Sequence, residues 1–439
     1  IAEQALPRLE GAPLARGLVA LERDLAAWAL GRAESHPAVG ALIAARAGAA
    51  FLRLRALRAL QAYAAGDPRW RRHLHAALRQ IRREDRLSAQ DPELGTAFWL
   101  LCLQEGIHEA EAIRALGRLR PLVELGALLR HPRENVRRVA AQALAATGEE
   151  AAMPLLQDAL RRERHPRVHQ ALTAALQALE SLPPPPLEIR LLGRFEVRRG
   201  GQLLPESVWP RPAVARLLQY FALHRRQWLS RERILEDLWP ERDPENAEEI
   251  FRRLFSWLHQ VLEPAMRSKG PFRYFASAGE TLRFDPHDVV RVDVEQMEAE
   301  IRRALAARPM HREAWAALAA RLEEWPLLLP EVSYDAWLIP YQERWRSLRT
   351  EAAQALAEDA LVLQEPAEAL RWAERAVEEA PWLEEGYQVL MRAWSRLGQR
   401  ARALRVYEEA VEALRRELQA PPSPLTRWLA ERLRRGEPI

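Results

Sequence analysis

Residues 244–262 read PENAEEIFRRLFSWLHQVL, and this segment determines the fold of the central region. Asp243 precedes it as a helix N-cap, and Pro244 suits the first helical position. At 100° per residue, one face of this helix carries only apolar side chains, namely Ala247, Phe251, Leu254, Leu258 and Leu262. The opposite face carries Glu249, Arg252, Arg253, Ser256, His259 and Gln260. The pattern predicts a helix that packs on a small core and leaves a polar face in solvent.

The flanking sequence changes period on both sides of this helix. Residues 187–191 alternate apolar and polar side chains, which is typical of a half-buried strand, and Gly200-Gly201 supplies a hairpin turn. Two more helices are predicted at about 211–224 and 230–238, and a second hairpin over 272–284. Strands, three helices and a closing hairpin predict a winged helix-turn-helix over residues 187–286.

The front of the chain, residues 1–182, is helical in pattern and ends at a stiff polyproline spacer, residues 183–186. Near its end a unit repeats. The dipeptides His131-Pro132 and His165-Pro166 each precede three apolar residues that are spaced four positions apart. These are Val136, Ala140 and Leu144 in the first copy and, 32 residues later, Val168, Leu172 and Leu176 in the second. The unit resembles HEAT-like repeats and predicts an α-solenoid.

The remaining part, residues 287–439, carries a stricter repeat of 34 residues, the tetratricopeptide period. Eight positions match at that spacing: Ala353, Leu356, Ala360, Leu363, Ala369, Leu370, Ala373 and Ala376 match Tyr387, Leu390, Trp394, Leu397, Ala403, Leu404, Tyr407 and Ala410. A helical pair at about 293–325 is expected to be a degenerate copy. The predicted fold class is therefore mainly α, with a HEAT-like α-solenoid, a winged helix with small sheets, and a tetratricopeptide-like α-solenoid.

Composition excludes several kinds of chemistry. Of 65 Lys plus Arg residues, Lys269 is the one lysine, and its context does not fit a P-loop or a Schiff-base site. The single cysteine, Cys102, excludes an intramolecular disulfide and lies in an apolar run that predicts a core position. Two histidine pairs, His73/His75 and His165/His169, lack a third ligand. The sequence predicts no enzyme, no cofactor and no metal.

Charge is unevenly distributed along the chain. Residues 1–186 carry a net +6, residues 187–286 a net +3 and residues 287–439 a net −5. This distribution is compatible with one local DNA-binding module. No segment has the length and apolar character of a membrane span, so we expect a cytoplasmic protein. Because the sequence opens on Ile1, we also expect it to be a piece of a longer protein.

Three motifs carry a family resemblance: LLGRFEVRRGGQLLP from residue 191, RPAVARLLQYFALHRRQWLSRERILEDLWP from residue 211, and AEEIFRRLFSWLHQVLEP from residue 247. They resemble the OmpR-type winged helix of the SARP transcriptional activators. The segment after Val292-Asp293-Val294 is similar to the bacterial transcriptional activator domain of the same family. The resemblance covers about residues 187–435. It implies that the third helix enters the DNA major groove, that the wing touches the backbone, and that the module contacts RNA polymerase. Family members often carry an NTPase or sensor module upstream.

The predicted DNA-contacting residues lie in three places. In DNA recognition, Arg makes bidentate hydrogen bonds with guanine and Gln makes them with adenine, whereas Ser binds phosphate or either base. We therefore expect contacts from the third helix, the start of the second helix and the wing, namely Arg252, Arg253, Ser256, His259 and Gln260, then Ser230 and Arg231, then Arg273.

The sequence thus predicts a transcriptional regulator that binds promoter DNA. The expected partners are double-stranded DNA, RNA polymerase, a second copy of the chain, and a peptide or protein in the tetratricopeptide groove; no membrane is expected. The alternative is a protein-interaction scaffold in which the winged helix no longer binds DNA. Ile250 and Trp257, which flank the exposed face of the third helix, favour that alternative.

Overall fold

Local capping signals set where helices begin. The Asp91 carboxylate accepts a hydrogen bond from the Leu94 backbone N–H (3.1 Å), and the Ser423 hydroxyl accepts one from the Thr426 N–H (3.3 Å). A proline follows each cap at the first helical position. The computed structural model describes residues 52–81, 86–266, 270–332 and 335–439, and these divide into two compact units.

The first unit is helical. A helix α1 covers residues 52–64. It is followed by α2 (Trp70–Leu78), α3 (Arg86–Gln90), α4 (Pro92–Glu105), α5 (Glu109–Leu119), α6 (Leu122–Leu128), α7 (Glu134–Ala146), α8 (Ala152–Arg162) and α9 (Pro166–Glu180). Ala265 and Met266 also belong to this unit, where Met266 is buried and the Ala265 carbonyl accepts a hydrogen bond from Gln157 Nε2 (2.9 Å).

The predicted repeat of the first unit is confirmed. Helices α5, α7 and α9 pack side by side, with α6 and α8 as the second helices of each pair. All six apolar positions of the repeat are at most 2% exposed. Gly117 lets α5 approach α7 closely, because a Cβ atom there would lie 2.8 Å from the Ala146 carbonyl oxygen. Cys102 is buried in this core, as predicted, and burial raises the pKa of its thiol.

The second unit begins with two small sheets. The four-stranded sheet has the order β3-β2-β1-β7, from β1 (Leu187–Arg190), β2 (Glu196–Arg199), β3 (Gln202–Leu203) and β7 (Val290–Val292). β1 pairs antiparallel with β2 and parallel with β7. The three-stranded sheet has the order β4-β6-β5, from β4 (Trp228–Ser230), β5 (Phe275–Ala278) and β6 (Thr281–Phe284). The sequence did not predict β4 or β7, which are three residues each.

Three helices pack with these sheets: α10 (Pro212–Leu223), α11 (Arg231–Leu238) and α12 (Pro244–Leu262). Their bounds agree with the prediction to within one residue at each end. The second hairpin, in contrast, starts later than predicted, at Phe275 rather than Phe272. The residues just before the hairpin do not pair as a strand. Among them, the buried Tyr274 donates its hydroxyl hydrogen to the Pro185 carbonyl (2.6 Å).

The second unit ends in paired helices: α13 (Asp293–Ala306), α14 (Arg312–Leu322), α15 (Ile339–Val362), α16 (Pro366–Glu379), α17 (Glu384–Arg396), α18 (Arg400–Leu418) and α19 (Pro424–Arg434). Most of the predicted 34-residue positions are buried, and Leu397 is the clear exception at 40% exposure. Residues 187–264 and 272–439 share this unit, in which β7 completes the sheet that β1 begins. The predicted domain boundaries stay predictions. Within the described ranges, no helix has the length and apolar character needed to cross a bilayer.

Candidate nucleic-acid interface

Helix α12 has the two faces that its sequence predicts. Its N-terminus is capped by Asp243, whose carboxylate accepts hydrogen bonds from the Glu245 and Asn246 N–H groups (3.2 and 3.4 Å). The buried residues of the helix are the five predicted ones, Ala247, Phe251, Leu254, Leu258 and Leu262. This face packs on α10 and α11. The helix is therefore held by one side only.

The outer face of α12 comprises Arg252, Arg253, Ser256 and Gln260, all of which are exposed. The Arg252 and Arg253 side chains are 69% and 61% exposed. Two forked cations, a hydroxyl and an amide in one row are the side chains that read base edges and phosphates in DNA grooves. Four of the five predicted contacts on this helix are thus placed together.

Each outer-face arginine contacts a glutamate one turn earlier. Arg252 Nε lies 3.0 Å from Glu248 Oε1, and Arg253 Nη2 lies 2.7 Å from Glu249 Oε1. Exposed pairs at this spacing contribute only about 0.3–0.5 kcal/mol. Each arginine is therefore oriented by a weak contact.

Glu248 links α12 to the start of α11. Its Oε1 also accepts a hydrogen bond from Arg231 Nη1 (2.8 Å), and the Arg231 guanidinium lies 5.2 Å from the centre of the Phe251 ring. In the sequence, Glu248 suits the N-terminal part of the helix because of the helix dipole. Its contact with Arg231 was not predicted, although its place one turn before Arg252 indicates the contact with that arginine. Ser230 caps α11 by accepting a hydrogen bond from the Arg233 N–H (3.2 Å). Ser230 and Arg231 thus have structural roles at the predicted phosphate-contacting end.

Arg273 does not lie on the wing surface. Its side chain is 5% exposed, and its Nε is 2.5 Å from Oε1 of Glu263, which is fully buried. The Arg273 backbone N–H also donates to Glu263 Oε2 (2.8 Å). The guanidinium is therefore neutralised inside the core, and the expectation that it touches DNA is corrected.

The His259 side chain also does not lie on the outer face of α12. Its ring stacks on Phe272, with centroids 4.5 Å apart and planes 18° from parallel, and its side chain is 13% exposed. The aromatic contact explains why a residue on the polar side of the helical wheel turns toward the hairpin. A base contact from His259 is not supported by this geometry.

The wing is a short hairpin with little positive charge at its tip. Gly279 adopts φ +58°, a left-handed conformation that suits glycine, and Glu280 beside it has an 88% exposed side chain. Arg283 on β6 lies over the exposed Trp228, 6.0 Å from the ring centre. The tip of the wing thus presents little positive charge, whereas Arg252 and Arg253 are exposed on α12.

Arg225, which follows α10, has a side chain that is only 9% exposed and that contacts residues of the second unit. It contacts Asp285 (2.7 Å) and Glu295, and it donates to the Val290 carbonyl (2.9 Å). Burial lowers the pKa of Arg225, but its hydrogen bonds to Glu295 and Asp285 outweigh burial and raise it. Its role is to join α10 to β7 and α13.

A second concave site lies between the paired helices α16, α17 and α18. It is a groove of about 500 Å³ with an aromatic and apolar floor that includes Tyr387, Leu390 and Trp394. Arg402 lies 4.6 Å from the centre of the Trp394 ring. Glutamate and arginine side chains also line the groove. Among the described residues, no group of three or more His, Cys, Asp or Glu side chains is arranged to hold a metal ion.

Comparison with known proteins identifies two regions of the chain. Residues 292–434 match the bacterial transcriptional activator domain family, and residues 100–177 match HEAT repeats. The solved structure of Mycobacterium tuberculosis EmbR in complex with a low-affinity phosphopeptide is similar at 23% sequence identity and a TM-score of 0.49. That match covers 58% of this chain and 66% of EmbR, so the chain spans just under two thirds of EmbR. Comparison with curated proteins gives no significant match.

The matches confirm HEAT-like repeats near the end of the predicted helical front and an activator domain behind the small sheets. The prediction of a HEAT-like region over the rest of residues 1–182 stays a prediction, and its residues 1–51 lie outside the described ranges. Helices α13 to α19, from the predicted degenerate copy through the 34-residue repeat, fall inside the matched activator region. The chain therefore carries a segment that matches HEAT repeats and, after the small sheets and α12 in the sequence, a segment that matches the bacterial transcriptional activator domain.

Proposed function

We propose that the chain is a transcriptional activator that reads promoter DNA in the major groove with the outer face of α12. The observation that carries this proposal is the row of Arg252, Arg253, Ser256 and Gln260, exposed together on a helix whose other face is buried. The proposed contact set also includes Ser230 and Arg231 at the start of α11. It excludes Arg273 and His259 because both are packed inside.

The energetic balance favours DNA over the glutamates that now hold the two arginines. A good bidentate contact between an arginine and a guanine discriminates against the wrong base by about 1–3 kcal/mol. Breaking an exposed pair with Glu248 or Glu249 costs only about 0.3–0.5 kcal/mol. The two glutamates are therefore weak competitors for a contact between these arginines and DNA.

The activator domain supports the finer part of the proposal. Its paired helices are the surface through which the regulator would contact RNA polymerase or form a homodimer. The groove over Tyr387 and Trp394 has the aromatic floor that suits a peptide or protein segment. These roles rest on the domain type and on the groove.

No observation favours the alternative, a scaffold that has lost DNA binding. Ile250 and Trp257 are half-buried and pack against the core of the second unit, so they do not form an apolar patch in solvent. The scaffold function therefore remains only as an outcome of the test.

The test titrates the whole chain onto a duplex from upstream of its own gene and onto a scrambled duplex, at two salt concentrations. We expect Arg252→Ala/Arg253→Ala to abolish most of the preference for the promoter duplex, at about 1–3 kcal/mol per lost base contact. The matched control, Arg415→Ala/Arg427→Ala, removes two exposed charges from the C-terminal helices and should keep the preference. Equal behaviour of the two double variants would refute α12 as the reading helix.

A further inference from the structure

We infer that the first unit carries a second, sequence-independent surface for the DNA backbone, formed by Arg130, Arg133, Arg164 and Arg167. We name this surface the RHPR edge. The inference rests on the proposed function in one respect, because it takes duplex DNA as the partner of this chain.

The RHPR edge arises from an identical tetrapeptide in consecutive repeats. Residues 130–133 and residues 164–167 both read Arg-His-Pro-Arg, 34 positions apart. The first copy lies immediately before α7 and the second copy spans the start of α9. Neighbouring helices of a packed pair are about 8–10 Å apart. The fold therefore places two equal arginine pairs side by side at one edge of the solenoid.

A part-buried ion pair between Arg137 and Glu163 connects the two tetrapeptides. Arg137 contacts both carboxylate oxygens of Glu163 (2.8 and 3.1 Å) while donating to the His131 and Pro132 carbonyls (2.9 and 3.0 Å). The same carboxylate accepts the Arg164 and His165 N–H groups (3.0 and 2.9 Å). One pair thus fixes the backbone of both copies, and His165 also contacts Glu134 between them. The edge is preorganised rather than a set of independent loops.

The four arginines themselves remain largely available. The Arg130 and Arg133 side chains are 71% and 65% exposed, and their nearest carboxylates are 3.8 and 3.7 Å away, on Asp158 and Glu105. Arg164 and Arg167 are exposed, and no ion pair is found for either side chain within the ranges that the structure describes. Arg161 and Arg162 lie beside the second copy, and both contact Asp158, so three arginines of this region share one carboxylate. The edge is therefore a positive surface with weak internal compensation.

Duplex DNA is the anion that suits this surface best. Each DNA strand offers a phosphate about every 3.4 Å along the axis, so two arginine pairs on neighbouring repeats reach several phosphates at once. Arginine binds phosphate with two parallel N–H groups. The segment that contains the edge also has the largest positive excess of the chain, +6 over residues 1–186. A backbone contact of this kind adds affinity without adding sequence preference.

The experiment measures the affinity of the whole chain for a promoter duplex and a scrambled duplex of about 30 base pairs, between about 50 and 200 mM salt. The variant Arg130→Ala/Arg133→Ala/Arg164→Ala/Arg167→Ala should bind both duplexes at least about tenfold more weakly and equally so. Its plot of log K against log salt should be shallower by about 3.6 if each of the four arginines contacts one phosphate, since each contact contributes about 0.9. A fourfold Arg→Gln version of the same sites repeats the test with longer side chains.

The matched control removes the same charge from the same unit. Arg58, Arg72, Arg79 and Arg114 are exposed and lie outside the edge, and their fourfold Ala variant should keep the salt slope. Edge and control variants that bind equally well would overturn the inference. So would a loss of binding to polyglutamate with DNA affinity unchanged, which would make the edge a surface for acidic protein.

The two proposals fail in different ways. If the edge variant weakens binding while Arg252→Ala/Arg253→Ala has no effect on promoter preference, the reading function of α12 fails and the edge stands. If promoter preference depends on Arg252 and Arg253 while the edge variant binds like wild type, the edge fails and the reading function stands. No DNA affinity in the wild-type chain overturns both.

Discussion

The outer face of α12 and the crossing of α15 and α16 use the same residue type in opposite ways. Arg252 and Arg253 are more than 60% exposed, and each contacts one exposed or half-exposed glutamate. Arg349 is 1% exposed, with Nη2 2.5 Å from Glu379 Oε2 and its guanidinium 4.4 Å from the Trp325 ring centre. Trp325 Nε1 donates to the same carboxylate oxygen (2.9 Å). An arginine with several fixed partners stabilises a fold, whereas one with a single solvated partner is free to bind.

The largest effect on stability is expected when the buried arginine of this comparison, Arg349, is replaced. Arg349→Ala removes the buried cation that contacts Glu379, which keeps its contact with Arg346 Nε (2.8 Å), so we expect a cost at or below the value of about 3–5 kcal/mol that is typical of a broken buried pair. We expect urea unfolding of the C-terminal helices to shift accordingly. Arg415→Ala, at an exposed position of α18, should change stability by less than about 0.5 kcal/mol. Equal effects of the two variants would show that the Arg349 pair does not stabilise the crossing.

A smaller effect on stability is expected at Glu163 in the first unit. Its ion pair with Arg137 is part-buried, between the exposed pairs of α12 and the buried Arg349. Its hydrogen bond to Arg137 is the main cause that lowers the pKa of Glu163 from 4.5 to about 2. Because the folded-state value is the lower one, the stabilisation is complete above about pH 4.5 and disappears as the pH falls through about 2. Glu163→Gln should cost about 1–3 kcal/mol at pH 7.

The pH dependence separates this pair from a generic loss of stability. The difference in unfolding free energy between wild type and Glu163→Gln should shrink as the pH is lowered from about 5 to about 3 in urea titrations. The control, Glu111→Gln, changes a carboxylate that is 48% exposed and should be neutral within about 0.5 kcal/mol. A difference that stays constant with pH would contradict the assignment to the ionised carboxylate.

The smallest expected effect is on the exposed side of the comparison. Arg252→Ala/Arg253→Ala removes two solvated pairs, so the melting temperature should change by at most a few degrees, corresponding to less than about 1 kcal/mol. Differential scanning calorimetry checks this. A large loss of stability would mean that these arginines support the fold and would remove the basis for assigning them to DNA.

Local patterns predicted the parts of this molecule that depend on local periodicity. The buried face of α12 agrees with the helical wheel at all five positions, because a 19-residue helix with one apolar stripe has one way to pack. The HEAT positions around Val136 and Val168 are buried for the same reason. β7 was not predicted, because a three-residue strand is defined by its partner, and β1 lies about a hundred residues away.

The placement of individual arginines shows the same division. Helix periods, caps, the two repeats and the candidate face of α12 depend on residues within a few turns of each other, so the order of amino acids alone specifies them. Long-range contacts, in contrast, are what leave Arg273 and Arg225 neutralised inside while Arg252 and Arg253 stay outside. The physical reason is that a buried cation needs a carboxylate brought to it by the fold, as Glu263 and Asp285 are, and such a meeting leaves no mark in local periodicity.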